Sequence, residues 1–593
     1  PVVFSVDWRF EVPFFYAADY GERLAAAEGV RLWWCDATRK ISRSRPAPTT
    51  TGQAIRISAA RNEFEAAQLV LRPEKDLENL TVSAGELSQR GGSGRIGADR
   101  VEVLRVHYHA VHSPTDKLGV TDDWPDALPP LAGPITLPAG ANQPLWVLVH
   151  VPADAPPGEY TGEIRLQAAG WQAKVPVHLR VWGFTLPKDP FTHSAFGLGT
   201  GMINRYHGVT SETDKREVFA KYMRSFADHR ISPYHPTPYD GIEIKFVADE
   251  DPPHAEVNFE RFDAAMQRAT DEWNITSFMV PIVGMGGGTF HARHAGEIVG
   301  FKAETPQYEA MFASAVSQIE QHLKAKGWLD KAYVYWFDEP DPKDYDFVRE
   351  GMERLKKHAP GLRRMLTEEP VEPLFWAVDL WCPLSSHYDP RVAGRRRANG
   401  EQFWWYVCTG PKAPYCTLFI DHPATDLRVW LWQTWQRKIE GILIWESVYW
   451  TSGTAFPDSL QNPYADPMAY QVGYGLEKGA KRHWGNGDGR FLYPPEAAAA
   501  GAASPVLDGP VSSIRWEMLR EGIEDVDYLH LLKAALAEKG AKLDTEARKT
   551  AERLLDVPPE ITASMTEYTS DSRPIYERRQ QIAETIELLM AQE

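Results

Sequence analysis

Residues 331–338, KAYVYWFD, are an apolar, aromatic run that ends on an acid, and Glu339 and Pro340 follow directly. After a short turn, residues 344–358, DYDFVREGMERLKKH, repeat apolar positions at helical spacing. This is one strand-then-helix unit, and the same rhythm continues on both sides of it. Strand-like runs fall at 194–199, 231–236, 277–284, 331–338, 363–368, 379–385, 403–409 and 441–447. Helix-period segments fall at 213–229, 259–273, 307–325, 344–358 and 425–440; in the last, Leu427, Trp430, Leu431, Trp435 and Ile439 lie close to one face. Eight such units predict a (β/α)8 TIM-like barrel over residues 188–496. A doubly wound open sheet is the alternative. It would usually carry fewer units and a Gly-rich phosphate turn after its first strand, and GLGTG at 197–201 does not complete G-x-G-x-x-G.

Outward from the barrel, residues 1–187 change character. Short β-rich runs such as QAIRISAA, AAQLVLRP and QAKVPVHLRVWGF alternate with turn signals, and no amphipathic helix separates them. They predict an N-terminal β-sandwich, with LPKDP at 186–190 as the linker. On the other side, AAAAGAAS at 497–504 reads as a linker or exposed loop. The rest of 497–593 reads as C-terminal helices packed on the barrel and capping it. The expected whole is a multidomain α/β chain.

Composition excludes several classes. The chain has 593 residues, 43% hydrophobic and 24% charged, which is the mixture of a folded chain. No apolar run approaches the roughly 20 residues of a membrane span. A net charge of -17 disfavours nucleic acid as a partner. Cys35, Cys382, Cys408 and Cys416 form no C-x-x-C pair and read as buried free thiols. The chain starts on Pro1 rather than Met. That reads as removal of an upstream segment, and suggests a secreted or periplasmic location without fixing the compartment. The 21 Trp, 23 Tyr and 24 Phe are the unusual feature. They fit either a large aromatic core or a sugar site, where ring faces pack on aromatic faces.

In a barrel the chemistry sits at the C-terminal ends of the strands. The fourth run ends on adjacent acids, Asp338 and Glu339. Two neighbouring carboxyls leaving a buried strand raise each other's pKa, which suits one ionised and one protonated group at a glycosidic oxygen. The competing reading is a loop start whose acids are solvated or cap the next helix. The seventh run, FWWYVCTG, ends without an acid, where common retaining barrel glycosidases place their nucleophile. A substrate N-acetyl group can replace that nucleophile by attacking the anomeric carbon to form an oxazoline. Other strand ends offer His235, Glu368, Glu369, His387, Tyr388, Asp389, Tyr406, Trp445, Glu446, Tyr449 and Trp450. Glu446 is the rival nucleophile, although the eighth strand faces the fourth across the barrel. His107, His109 and His112 fall in the sandwich. His291 and His294 lack the Glu of H-E-x-x-H, so no metal and no other cofactor is expected.

Three blocks carry a resemblance: YVYWFDEP; the long segment from WWYVCTGPKAPYC to GILIWESVYW; and GDGRFLYPP with GPVSSIRWEMLREGIEDVDYLHLL. Together they resemble glycoside hydrolase family 123 and the related domain of unknown function 4091 group, over about residues 150–540. The resemblance implies a retaining, exo-acting β-N-acetylgalactosaminidase working by substrate assistance. Asp338 would be the oxazoline-stabilising acid and Glu339 the general acid/base. Tyr406 and Trp445 match aromatic positions lining the sugar pocket. The remaining substrate-binding candidates are His235, His387, Glu446 and Trp450. The sequence departs from the family pattern after the eighth run, where ESVYW stands in place of an Asn-Tyr-Trp-like ending. The implied partner is a glycan with a terminal N-acetylhexosamine, and the oligomeric state is left open. Two rivals remain: a glycosidase of another specificity with a direct carboxylate nucleophile, and a non-catalytic glycan-binding protein.

Overall fold

The structure is a computed structural model that describes residues 12–591, residue 26 excepted. Pro1, on which the reading of a removed segment rests, lies outside the described residues.

The N-terminal region is built from two packed sheets. One runs, in spatial order, Glu22–Arg23, Val30–Asp36, Glu63–Pro73, Gln143–Val151 and Val101–Arg105, all antiparallel. The other runs Ile135–Leu137, Leu77–Ala84, Gly158–Ala168, Trp171–Thr185 and Ile55–Arg61, the last pair parallel. Alternation explains the packing. In Trp171–Thr185, Val175, Val177, Leu179 and Val181 are buried, and Lys174, Pro176, His178 and Arg180 between them are not. They meet Leu69, Leu71, Leu145, Val147 and Val149 of the facing sheet in one cluster. Each fully buried Val or Leu there contributes about 1.5–3 kcal/mol.

The second region holds a nearly closed parallel sheet of seven strands. Their order is His193–Phe196, Gly441–Ile444, Gln402–Tyr406, Leu380–Trp381, Arg363–Leu366, Ala332–Tyr335 and Phe278–Met279. The run at 231–236, expected as the second of the eight strands, forms no ladder. It still fills the gap between the two edges: Phe196 N–H donates to Ser232 O (3.2 Å), Tyr234 N–H to Phe196 O (2.8 Å) and Met279 N–H to Tyr234 O (2.9 Å). Pro233 and Pro236 explain the difference, since neither has an N–H to give to a ladder. The expected helices form at Glu212–Asp228, Glu260–Trp273, Pro306–Ala325, Tyr345–His358 and Thr425–Gln436.

Side-chain parity sets what points into the ring. Tyr333, Met365, Leu380, Trp404, Tyr406 and Leu443 share an inner cluster, and Met279 and Tyr335 pack against it. Val334, Phe403 and Trp405 face the surrounding helices.

Helix Ile514–Lys539 differs from a surface cap. It does pack on Thr425–Gln436, as expected, but it is also enclosed by the N-terminal sheets and helix Arg573–Met590. Its acids meet buried cations. Arg428 binds Asp525 through Nε at 2.7 Å and Glu521 at 3.1 Å, and Arg520 pairs with Glu517 at 2.5 Å. The Tyr528 hydroxyl donates to Glu63 of the N-terminal sheet at 2.7 Å. No helix of the described residues is long and apolar enough to cross a membrane. All four cysteines are free thiols.

Candidate active site

The strand Ala332–Tyr335 continues, after Trp336, into Phe337–Asp338, and so delivers Asp338 and Glu339 to the C-terminal mouth of the ring. Tyr335 points inward three residues earlier, and its hydroxyl donates to Asp338 Oδ1 at 2.5 Å. Thr367, just past strand Arg363–Leu366, donates to the same oxygen at 3.1 Å. Thr367 Oγ1 also accepts the Glu339 backbone N–H at 3.0 Å. One hydroxyl therefore clamps both acids.

Glu339 has φ +43, in the left-handed region that a residue with a Cβ seldom adopts. The turn sends its side chain away from Asp338, across the ring to the Tyr406 hydroxyl, which donates to Oε1. Backbone strain of this kind concentrates at functional sites. Burial raises the Glu339 pKa; the Tyr406 hydrogen bond opposes that rise, the Asp338 charge adds to it, and His387 opposes it.

Glu368 and Glu369 follow Thr367 directly. Burial, then the neighbouring Glu369 and Glu339, push the Glu368 carboxyl up to about 8, which leaves it protonated at neutral pH. Its Oε1 accepts from the Tyr345 hydroxyl at 3.5 Å. Glu369 pairs with exposed His387 at 3.4 Å. The mouth is therefore lined by carboxyl groups on the side of strands Arg363–Leu366 and Leu380–Trp381.

The opposite side is aromatic. Trp445 stands 5.0 Å from Tyr449 and 5.6 Å from Trp484, ring centre to ring centre. Buried Asp488 accepts the Trp445 indole N–H at 3.0 Å and fixes that ring. Gly489 fits against the same indole: a Cβ there would stand 2.4 Å from Trp445 Cζ2. Half-buried aromatic faces beside hydrogen-bonding acids suit a sugar ring.

The other expected residues have separate fates. His235 lies at the rim, lining a cavity of about 510 Å³ with Leu198, Gly199, Thr200, Pro236 and Met279. Glu446 accepts three backbone N–H groups on Oε1: Ser447 at 2.9 Å, Val448 at 3.1 Å and Gly199 at 3.2 Å. That oxygen is committed to holding the turn. Trp450 does not face the mouth. It is 0% exposed, its indole N–H donates to Leu492 O at 2.7 Å, and its ring packs on Tyr206. A fully enclosed ring of this kind presents no face to a substrate. Sequence reasoning did not single out Tyr335, Thr367, Tyr474, Trp484 or Asp488. Strand parity points to Tyr335 once Tyr333 is placed, whereas Tyr474 lies in a turn and Trp484 in the short strand His483–Asn486, neither long enough to carry a periodic signal. Among the described residues no group of three or more His, Cys, Asp or Glu is arranged to hold a metal ion.

Comparison with known proteins bears on the family and the fold. Residues 258–532 match the family model "Glycoside hydrolase 123, catalytic domain", and residues 34–168 match "Glycoside hydrolase 123 N-terminal domain". Among solved structures, a family 123 glycoside hydrolase from Clostridium perfringens, studied for glycolipid glycan hydrolysis, is similar over 94% of this chain and 97% of its own. Its TM-score is 0.63 at 15% identity, a likeness of fold. A Bacteroides uniformis β-glucuronidase 2 mutant (9% identity, 72% of this chain and 47% of that one) reaches a TM-score of only 0.24. A family 2 member from Bacteroides cellulosilyticus (8% identity, 65% and 44%) reaches the same value, and neither bears on the fold. No curated protein matches the chain. The protein is a glycoside hydrolase. The two models together span well over half of the sequence, and the chain belongs to glycoside hydrolase family 123.

Proposed function

We propose that the protein is an exo-acting, retaining β-N-acetylgalactosaminidase, in which the acetamido group of the substrate is the nucleophile. The supporting observation is how the acid pair is split. Asp338 is held by two hydroxyls on one oxygen, and Glu339 is turned away from it by a left-handed backbone toward Tyr406. Two carboxyls with different surroundings take different roles. Glu339, its pKa raised, carries a proton to the glycosidic oxygen and later removes one from water. Asp338 accepts the acetamide N–H, orients the carbonyl oxygen toward the anomeric carbon and offsets the positive charge of the forming oxazoline. Trp445 and Trp484 offer the sugar an aromatic face. A direct carboxylate nucleophile is less well served. Strand Gln402–Tyr406 ends without an acid, and Glu446 spends one oxygen on three backbone donors. The (β/α)8 reading belongs to the same proposal, with residues 232–234 in the place of the second strand and the sandwich, barrel and C-terminal helices at 1–187, 188–496 and 497–593.

The test is a side-by-side panel of 4-nitrophenyl β-glycosides of GalNAc, GlcNAc, galactose and glucose. Turnover is expected for the two N-acetylated sugars, with GalNAc the faster. Comparable kcat/KM for galactose and GalNAc would remove the role of the acetamido group.

A further inference from the structure

Two loops meet above the acid pair from separate parts of the ring. One follows strand Phe278–Met279. The other follows Gly441–Ile444, with strand His193–Phe196 and segment 232–234 lying between them along the ring. The first loop folds as a hairpin, Gly287–Thr289 against Ala292–His294. Its first strand pairs in parallel with Phe337–Asp338 and sets Thr289 opposite Asp338. Phe290 and His291 at the tip are thus fixed one and two residues beyond the position paired with the acid. Gly288 is required there: its φ is +155, and a Cβ would stand 2.3 Å from the Ala292 carbonyl oxygen.

Tyr474 comes from the second loop. Its ring centre is 3.7 Å from that of His291, 5.7 Å from Phe290 and 6.4 Å from Trp484. It holds φ +58, unusual for a bulky residue, and is 43% exposed. Burial, then the Asp338 and Glu339 charges, raise its phenol pKa, so the ring stands in the field of the acid pair. A continuous aromatic line therefore spans the mouth from the hairpin tip through Tyr474 and Trp484 to Trp445.

We propose that Phe290, His291 and Tyr474 form a bridge that closes the site over the terminal sugar and excludes glycans that continue beyond it. The inference rests on the exo-hexosaminidase reading above and names the residues that would restrict it to glycans whose GalNAc is unsubstituted. Exo-specificity then resides in a contact between two loops rather than in the acid pair.

The experiment compares 4-nitrophenyl β-GalNAc with the same glycoside carrying galactose on O3 of the GalNAc, using wild type, Tyr474→Gly and His291→Ala. Glycine suits the left-handed backbone at 474, and His291 is exposed, so both variants should fold. Wild type is expected to cleave the single-sugar glycoside and to leave the extended one intact. Opening the bridge should raise the ratio of kcat/KM, extended over single, by about tenfold or more. An unchanged ratio in both variants overturns the bridge, as does a wild type that cleaves both glycosides equally. So does a His291→Ala enzyme inert toward the single-sugar glycoside, because a covering residue is not needed for the chemistry. A wild type inert toward every N-acetylated glycoside overturns the hexosaminidase reading, and this inference falls with it.

Discussion

Glu339→Gln is expected to lower kcat/KM by about 10²–10⁴ and to leave sugar binding nearly intact. Gln keeps the shape of the side chain and can still accept the Tyr406 hydroxyl, so the loss is that of a proton donor and base. The loss should be larger for a glycan leaving group than for 4-nitrophenolate, which departs with little protonic help. The pH profile follows from the same residue. Glu339 donates only while protonated, and its pKa is raised first by burial. The alkaline limb of kcat/KM should therefore lie above the ordinary carboxylate range. The Tyr406 hydroxyl favours the ionised form, so Tyr406→Phe should move that limb to still higher pH. A Glu339→Gln enzyme that retains most of its activity on both leaving groups would remove Glu339 from the chemistry.

Arg428→Met is expected to cost about 3–5 kcal/mol of stability. Arg428 is fully buried between Asp525 and Glu521. Methionine approximates the volume of the stem and leaves the two carboxylates with only the longer Arg579 contacts, 3.9 Å to Glu521 and 3.6 Å to Asp525, as ion pairs. The pH dependence has a defined sign. Burial already raises Glu521 to about 7 and Glu524 to about 8, above their unfolded values. A raised acid binds its proton more tightly in the folded state, so stability declines as pH climbs from the unfolded pKa through the folded one. Losing Arg428 removes the cation that lowers Glu521 most and raises that group further, so the variant should lose more stability at pH 8 than at pH 5.5. Denaturant midpoints at the two values read the effect. A variant within about 0.5 kcal/mol of wild type would show that Arg428 is not needed to hold helix Ile514–Lys539 against helix Thr425–Gln436.

Much of this architecture could be read from the chain because its signals are local. Parity along AYVYWFD and FWWY places Tyr335 and Tyr406 inside the ring, and Tyr406 does reach Glu339. Pro233 is a local signal too, and it turns the run at 231–236 from a strand into a connecting segment. The burial of the helix carrying Glu517, Glu521, Glu524 and Asp525 could not be read, because only Arg520 is a local partner, while Arg428 and Arg579, which pair with Glu521 and Asp525, are distant in sequence. Trp445 and Trp450 look alike in WESVYW, yet one faces the mouth and the other the core. The stretch after strand Gly441–Ile444 is irregular and offers no period from which to assign faces. Tyr474 is positioned only by the meeting of two loops, which no single segment encodes.

Progressive fluorination of the acetamido methyl group in 4-nitrophenyl β-GalNAc addresses the nucleophile itself. Each fluorine withdraws electron density from the carbonyl oxygen without changing the ring or the leaving group. If that oxygen attacks the anomeric carbon while Asp338 holds the amide, kcat/KM should fall steeply from the acetyl to the trifluoroacetyl substrate. A rate indifferent to fluorination would mean that a side chain of the protein makes the attack.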